Sequence, residues 1–108
     1  MATESEPGPI YSTLAQDPDM IDLVENFVKD LPQRLGRILE AEETSDGESF
    51  RFEVHQLKGT CGVYGFEPLY ECLVKIESLY DSGNQDSITG KLAVLTEMCT
   101  RVTPNPPP

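Results

Sequence analysis

Basic residues are scarce in this 108-residue chain: 8 Lys and Arg stand against 19 Asp and Glu, for a formal charge of -11. Such a surface repels phosphate backbones and anionic headgroups, which argues against nucleic-acid and membrane-surface binding. No apolar run approaches the length of a membrane span, and Met1 to Pro9 lacks the basic-then-apolar order of a signal peptide. A cytoplasmic location is therefore expected. The 3 cysteines, Cys61, Cys72 and Cys99, cannot all pair within one chain and match no zinc spacing, so they read as buried thiols in a reducing compartment. There is one histidine, no glycine-rich nucleotide loop, and no period-two alternation long enough to suggest a sheet. The length suits one modest core and is too short for two.

What is present is helical spacing almost throughout. Residues 1–9 and 104–108 read as disordered tails: the first holds Pro7-Gly8-Pro9, and Pro104-Asn105-Pro106-Pro107-Pro108 cannot continue a helix. Between them, 10–103 is expected to fold as one domain. Ile10, Tyr11 and Leu14 suit a short N-terminal helical turn that lids the core. Asp17 offers a cap with Pro18 in the first turn, and the stripe Met20, Val24, Phe27, Leu31, Leu35, Ile38 follows. It keeps its phase across Pro32, which predicts one kinked helix rather than two.

After the polar loop Glu42 to Gly47 come three more stripes: Phe50, Val54, Leu57, Cys61, Tyr64; then Pro68, Leu69, Leu73, Ile76, Tyr80; then Ile88, Leu92, Leu95, Cys99, Val102. The last follows the turn Asp81-Ser82-Gly83-Asn84, with Asp86 or Ser87 as its cap. Four amphipathic helices with short connections bury their stripes most simply as an all-α, antiparallel up-and-down four-helix bundle.

The sole histidine opens the run His55-Gln56-Leu57-Lys58-Gly59-Thr60-Cys61-Gly62-Val63-Tyr64-Gly65. With the stripe Phe50 to Tyr64 as the core direction, His55 lies roughly 140° away, Gly59 roughly 180° and Gly62 about 120°. The imidazole thus faces water, with both glycines on its side of the helix. Glycine inside a helix costs about 1 kcal/mol relative to alanine. The pair either marks a helix end, admits a close neighbouring helix, or clears the surface so that another protein's active site closes over His55. Phe52 and Phe66 fall at about 200° and 160° on the same wheel. They are candidates for a docking patch, or for partial cover by the N-terminal segment. Lys58, three residues on, is either a solvated lysine or a counter-charge for a group on the imidazole.

This constellation resembles the histidine-containing phosphotransfer (HPt) domains of multistep two-component signalling. Their hallmark is His-x-x-Lys-Gly with further small residues and a second glycine, within an antiparallel four-helix bundle. His55, Lys58, Gly59, Gly62 and Gly65 fit it, and the resemblance spans roughly Asp17 to Val102. It implies that His55 takes a phosphoryl group on Nε2 from a receiver-domain aspartyl phosphate, or from a kinase, and passes it to another receiver. It further implies that Lys58 steadies the phosphoryl oxygens and that Gly59 admits the partner. Family members often carry a Gln or Glu about 22 residues after the histidine that holds its other ring nitrogen. Here that residue is Glu77, at the edge of its stripe, either an orienter of the imidazole or a solvated flank residue.

The partners implied are response-regulator receiver domains and a sensor histidine kinase, with Mg²⁺ on the receiver and no cofactor or metal on this chain. A monomer that pairs transiently is expected. Lacking a nucleotide loop, room for an ATP-binding domain and a receiver-like acidic pocket, the chain is expected to carry phosphoryl groups without kinase activity of its own. The competing reading is a helical bundle of the same fold that binds a partner without being phosphorylated. A metal- or cofactor-binding bundle would need several inward ligands, and the wheel sends the one histidine outward. A hydrolase would need a nucleophile paired with an oriented base, which the sequence does not offer.

Overall fold

Val24, Phe27, Leu31, Leu35 and Ile38 line the buried side of a single helix, α1, Ile21–Glu43. The computed structural model describes residues 8–108, so most of the expected N-terminal tail lies outside the described residues. α1 runs unbroken through Pro32, as the constant phase of its stripe predicts. Its start differs from expectation. Asp17 Oδ1 accepts from the Asp19 N–H at 2.9 Å, and the Asp17 carbonyl accepts from Met20 and Ile21. Asp17 and Pro18 therefore build a turn ahead of the helix, because the aspartate closes its own local ring instead of capping. The helix begins three residues beyond Pro18 with Met20 at its cap position.

Asp46 caps α2, Gly47–Val63, by accepting from the Ser49 N–H at 3.2 Å. This helix buries Phe50, Val54, Leu57 and Cys61. α3, Glu67–Asp81, carries Pro68 in its first turn and buries Leu69, Cys72, Leu73 and Ile76. Pro68, expected on the apolar stripe, is exposed there, where its missing N–H does no harm. α4, Gln85–Cys99, buries Ile88, Leu92 and Leu95. Its cap position is Asn84 rather than Asp86 or Ser87, because the chain already turns into the helix after Gly83 at φ 79°.

Cross-helix pairs give the direction of each neighbour. Arg34 meets Thr60 and Arg37 meets Glu53, so α1 and α2 are antiparallel. Arg51 meets Asp81, His55 meets Glu77 and Gly62 lies against Tyr70, so α2 and α3 are antiparallel too. α3 packs on α4, α4 closes on α1, and one continuous core joins all four. The architecture is the expected all-α four-helix bundle.

The N-terminal segment does lid the core, but not as a helical turn. Ile10–Tyr11 forms a short strand, β1, parallel to β2, Val102–Thr103, with Ile10 opposite Val102 and Tyr11 opposite Thr103. Ile and Tyr suit extended backbone, two such residues cannot nucleate a helix, and the chain's other end supplies the partner. Val102 accordingly leaves the α4 stripe to pair. Beyond β1, Ser12 Oγ donates to the Tyr64 carbonyl and Thr13 N–H donates to the Gly65 carbonyl, the latter at 3.1 Å. Gly65 sits at φ 74°, and any Cβ there would run into Thr13. Only glycine lets this strap lie across the α2–α3 turn, and the turn sets how α3 meets the face of α2 that holds His55.

Candidate functional site

Because α2 buries Phe50, Val54, Leu57 and Cys61, helical geometry sends His55 outward, and its side chain is 59% exposed. On α3 the buried residues Leu73 and Ile76 direct the next position, Glu77, toward α2. Glu77 is buried, with 9% of its surface exposed. Its Oε2 lies 2.9 Å from His55 Nδ1, and its Oε1 accepts from Lys58 Nζ at 2.6 Å. A guanidinium nitrogen of Arg51 stands 3.7 Å from Oε2. That guanidinium is held by Asp81 in a two-pronged pair of 2.9 and 3.1 Å.

Burying a lone carboxylate would raise its pKa. Here the Lys58 ammonium foremost, and the His55 imidazole after it, hold the Glu77 carboxyl below its ordinary value against that burial. Glu77 is thus an ionised acceptor, and an acceptor at Nδ1 selects the tautomer with its proton there. In the neutral ring Nε2 then carries the free lone pair, and it has no protein partner among the described residues. Lys58 does not extend into solvent beside His55. Its ammonium rests on Glu77 as the counter-charge of that carboxylate.

The remaining expected site residues divide. Gly59 is exposed and a Cβ built on it would meet nothing within 4 Å, so neither helix packing nor a helix end accounts for it. Gly62 is exposed too, but its Cβ would stand 3.3 Å from the Tyr70 ring, so close approach of α3 explains that glycine. Phe52 is 59% exposed beside His55. Phe66 is corrected: it is wholly buried, stacked on Phe27 with ring centroids 5.5 Å apart. α2 stops at Val63 and Gly65 turns the chain, so a helical wheel extended to residue 66 points the wrong way.

In place of Phe66, the outer face offers Val63, 65% exposed, with Tyr70 and Val74 exposed on α3. Val63 shares with His55, Gln56, Gly59, Thr60 and Tyr64 an open depression of about 480 Å³. α2 itself carries Glu48 and Glu53 against Arg51 and Lys58, a neutral helix in a strongly acidic chain.

A family model described as the Hpt domain matches residues 22–103, from the first turn of α1 to the end of β2. The chain belongs to the Hpt domain family. Searches of curated proteins and of solved structures gave no significant match. Hpt domains are phosphotransfer modules of two-component systems, carriers rather than kinases, that work with receiver domains and histidine kinases. The match takes in His55, Lys58, Gly59 and Glu77 and leaves out the strap at Ile10–Tyr11.

Several features of this Hpt domain's site went unread in the sequence. Arg51 is four residues before His55 and Asp81 four after Glu77, so both share a face with a residue already singled out. That spacing was the available signal. Tyr70 and Val74 precede Glu77 by seven and three residues and carry the same signal on α3. Among the described residues no three His, Cys, Asp or Glu side chains gather as a metal site, and no helix is long and apolar enough to cross a membrane. The thiols stand apart from the site: burial pushes Cys61 and Cys99 up to about 12 and raises Cys72 as well.

Proposed function

We propose that His55 is the phosphoryl acceptor of this Hpt domain, charged on Nε2 by a receiver-domain aspartyl phosphate or by a kinase and discharged to another receiver. The observation that carries the reading is the 2.9 Å contact between the Nδ1 of an exposed imidazole and a buried carboxylate. In the forward step the Nε2 lone pair attacks phosphorus. The N–P bond forms, the aspartyl O–P bond breaks, and the carboxylate leaves with that electron pair. No proton need be removed, because the Nδ1 proton stays on the ring, which becomes a phosphorylated imidazolium facing Glu77. The carboxylate offsets the new ring charge and so favours the transition state in which it develops. The reverse step returns the lone pair to Nε2.

Lys58 begins on Glu77 Oε1 at 2.6 Å. A phosphoryl group brings close to two negative charges to its neighbourhood, and the flexible ammonium turns toward those oxygens while staying near the carboxylate. Gly59 leaves room for the partner's backbone, and Phe52, Val63, Tyr70 and Val74 offer it apolar contact around the histidine. The acidic pocket and the Mg²⁺ that assist transfer belong on the receiver, and this chain supplies neither kinase activity nor a cofactor. A monomer with this face free, in a reducing cytoplasmic setting that keeps its buried thiols intact, fits the role.

The test is to incubate the protein with phosphorylated receivers and follow acid-labile phosphate. Label on the wild type and none on His55→Gln supports the carrier. Absence of label with every receiver tested, alongside receiver binding, would instead establish a silent docking module.

A further inference from the structure

Two groups compete for one oxygen of Glu77. His55 Nδ1 lies 2.9 Å from Oε2, and the Arg51 guanidinium lies 3.7 Å from the same atom, beyond hydrogen-bond range. Lys58 occupies the other oxygen. What separates Arg51 from a direct contact is Asp81, one helical turn beyond Glu77, which takes two guanidinium nitrogens at 2.9 and 3.1 Å. A two-pronged arginine–carboxylate pair fixes the plane of the guanidinium as well as its distance. It also neutralises the cation beside the imidazole. The other flank of α2 holds a self-contained pair, Arg37 with Glu53 at 3.3 Å, so no further charge from α1 enters this contest.

We propose that Asp81 is a positioning residue of the phosphotransfer site: by gripping Arg51 it reserves Glu77 Oε2 for His55 Nδ1 and so keeps the attacking nitrogen, Nε2, unprotonated. Without that grip the guanidinium moves onto Glu77, and the oxygen's affinity for the Nδ1 proton falls. The neutral ring then shifts toward the tautomer with its proton on Nε2, which cannot attack. Asp81 touches neither the imidazole nor the phosphoryl group. It acts through Arg51, and its importance rests on the proposal that His55 is the acceptor.

The deciding measurement is the tautomer ratio of neutral His55 from imidazole ¹⁵N shifts, read in the intact protein without any partner. In Asp81→Asn the ratio of Nδ1–H to Nε2–H is expected to fall roughly threefold to tenfold, the size of one weakened hydrogen bond to a charged group. Adding Arg51→Gln to that variant should restore the wild-type ratio, since the competitor is gone. Glu71→Gln removes the same charge from the far side of α3 and should change nothing. An unchanged ratio in Asp81→Asn overturns the proposal, as does a fall that Arg51→Gln fails to rescue, which would mean that Asp81 acts directly through its field. Phosphoryl acceptance is scored separately by acid-labile label, so failure of the carrier reading would be distinct from failure of this one.

Discussion

Substitutions at Gly59 distinguish a helix built for stability alone from one built for the approach of a partner. A Cβ at this position would meet nothing within 4 Å, while the glycine lies inside the 17-residue helix α2. Replacing it with alanine therefore adds no collision and removes the cost of glycine in a helix, about 0.8–1 kcal/mol. For a domain of this size, 1 kcal/mol moves Tm by roughly 4–8 °C. Gly59→Ala is expected to raise Tm by about that much in a thermal melt followed by circular dichroism. Gly59→Leu should fold equally well, since leucine is also a good helix former and its side chain would project into solvent. Its penalty should appear in transfer from a phosphorylated receiver, slowed about tenfold or more, the effect of roughly 1.4 kcal/mol of steric opposition. Labelling of the same variant by a small donor such as phosphoramidate should be unaffected, because nothing then has to dock. Loss of stability in Gly59→Ala would show that the space is not open. Unchanged receiver transfer in Gly59→Leu would show that no partner covers this turn of the helix.

The two phenylalanines near the site should part company: Phe66→Ala empties a buried stack on Phe27 and is expected to cost about 3–5 kcal/mol in urea unfolding. Phe52→Ala should stay within about 0.5 kcal/mol of wild type in the same assay while weakening receiver binding. Glu77 has a folded pKa depressed below its ordinary 4.5, so its contribution is complete above that value and is lost as pH falls through the lower folded value. Glu77→Gln is accordingly expected to be less stable than wild type by about 1–3 kcal/mol at neutral pH, with the gap closing below pH ~4 in denaturant titrations. A gap independent of pH would contradict the ionised, paired carboxylate. With burial pushing the Cys61 and Cys99 thiols up to about 12, alkylation at pH 8 should be slow in the folded protein and rapid at all three cysteines after denaturation.

The bundle was legible because its signal is local and redundant. Each helix repeats its apolar residue five or six times in phase, so a misplaced cap at Asp17 or Asp86 shifts a boundary without altering the buried face. The outward direction of His55 follows from the same stripe, since the four buried residues of α2 bracket it on both sides. Phe66 was misread because a wheel carries no information about where the helix stops. Its true place depends on Gly65 at φ 74° and on the strap that crosses it. The strap itself depends on Val102–Thr103, more than ninety residues away, and a pairing of two residues leaves almost no periodic trace. Arg51 and Asp81 were obscure for another reason. Each is an ordinary exposed charge alone, and the meaning lies in the contacts of Arg51 with Asp81 and its approach to Glu77, which only the packing of α2 on α3 creates.

The balance of charge around His55 says why such a site would pass a phosphoryl group on rather than keep it. In the resting arrangement the charges of Glu77 and Lys58 offset one another, and those of Asp81 and Arg51 do the same, so the imidazole sits among two balanced pairs. Phosphorylation adds nearly two negative charges and one positive charge on the ring. Among the described residues the flexible cation beside His55, Lys58, is already shared with Glu77. The phosphoryl oxygens are therefore left under-neutralised on a surface open to solvent, in a chain whose net charge is -11. A receiver that closes over the face with a divalent cation offers a better match than the carrier does. The same argument accounts for burying the carboxylate instead of the histidine. If His55 is the acceptor as proposed, a dry, fixed Glu77 would select the tautomer, while exposure of His55 would let either partner reach Nε2. A further cation aimed at Nε2 would hold the phosphate more tightly and slow its release.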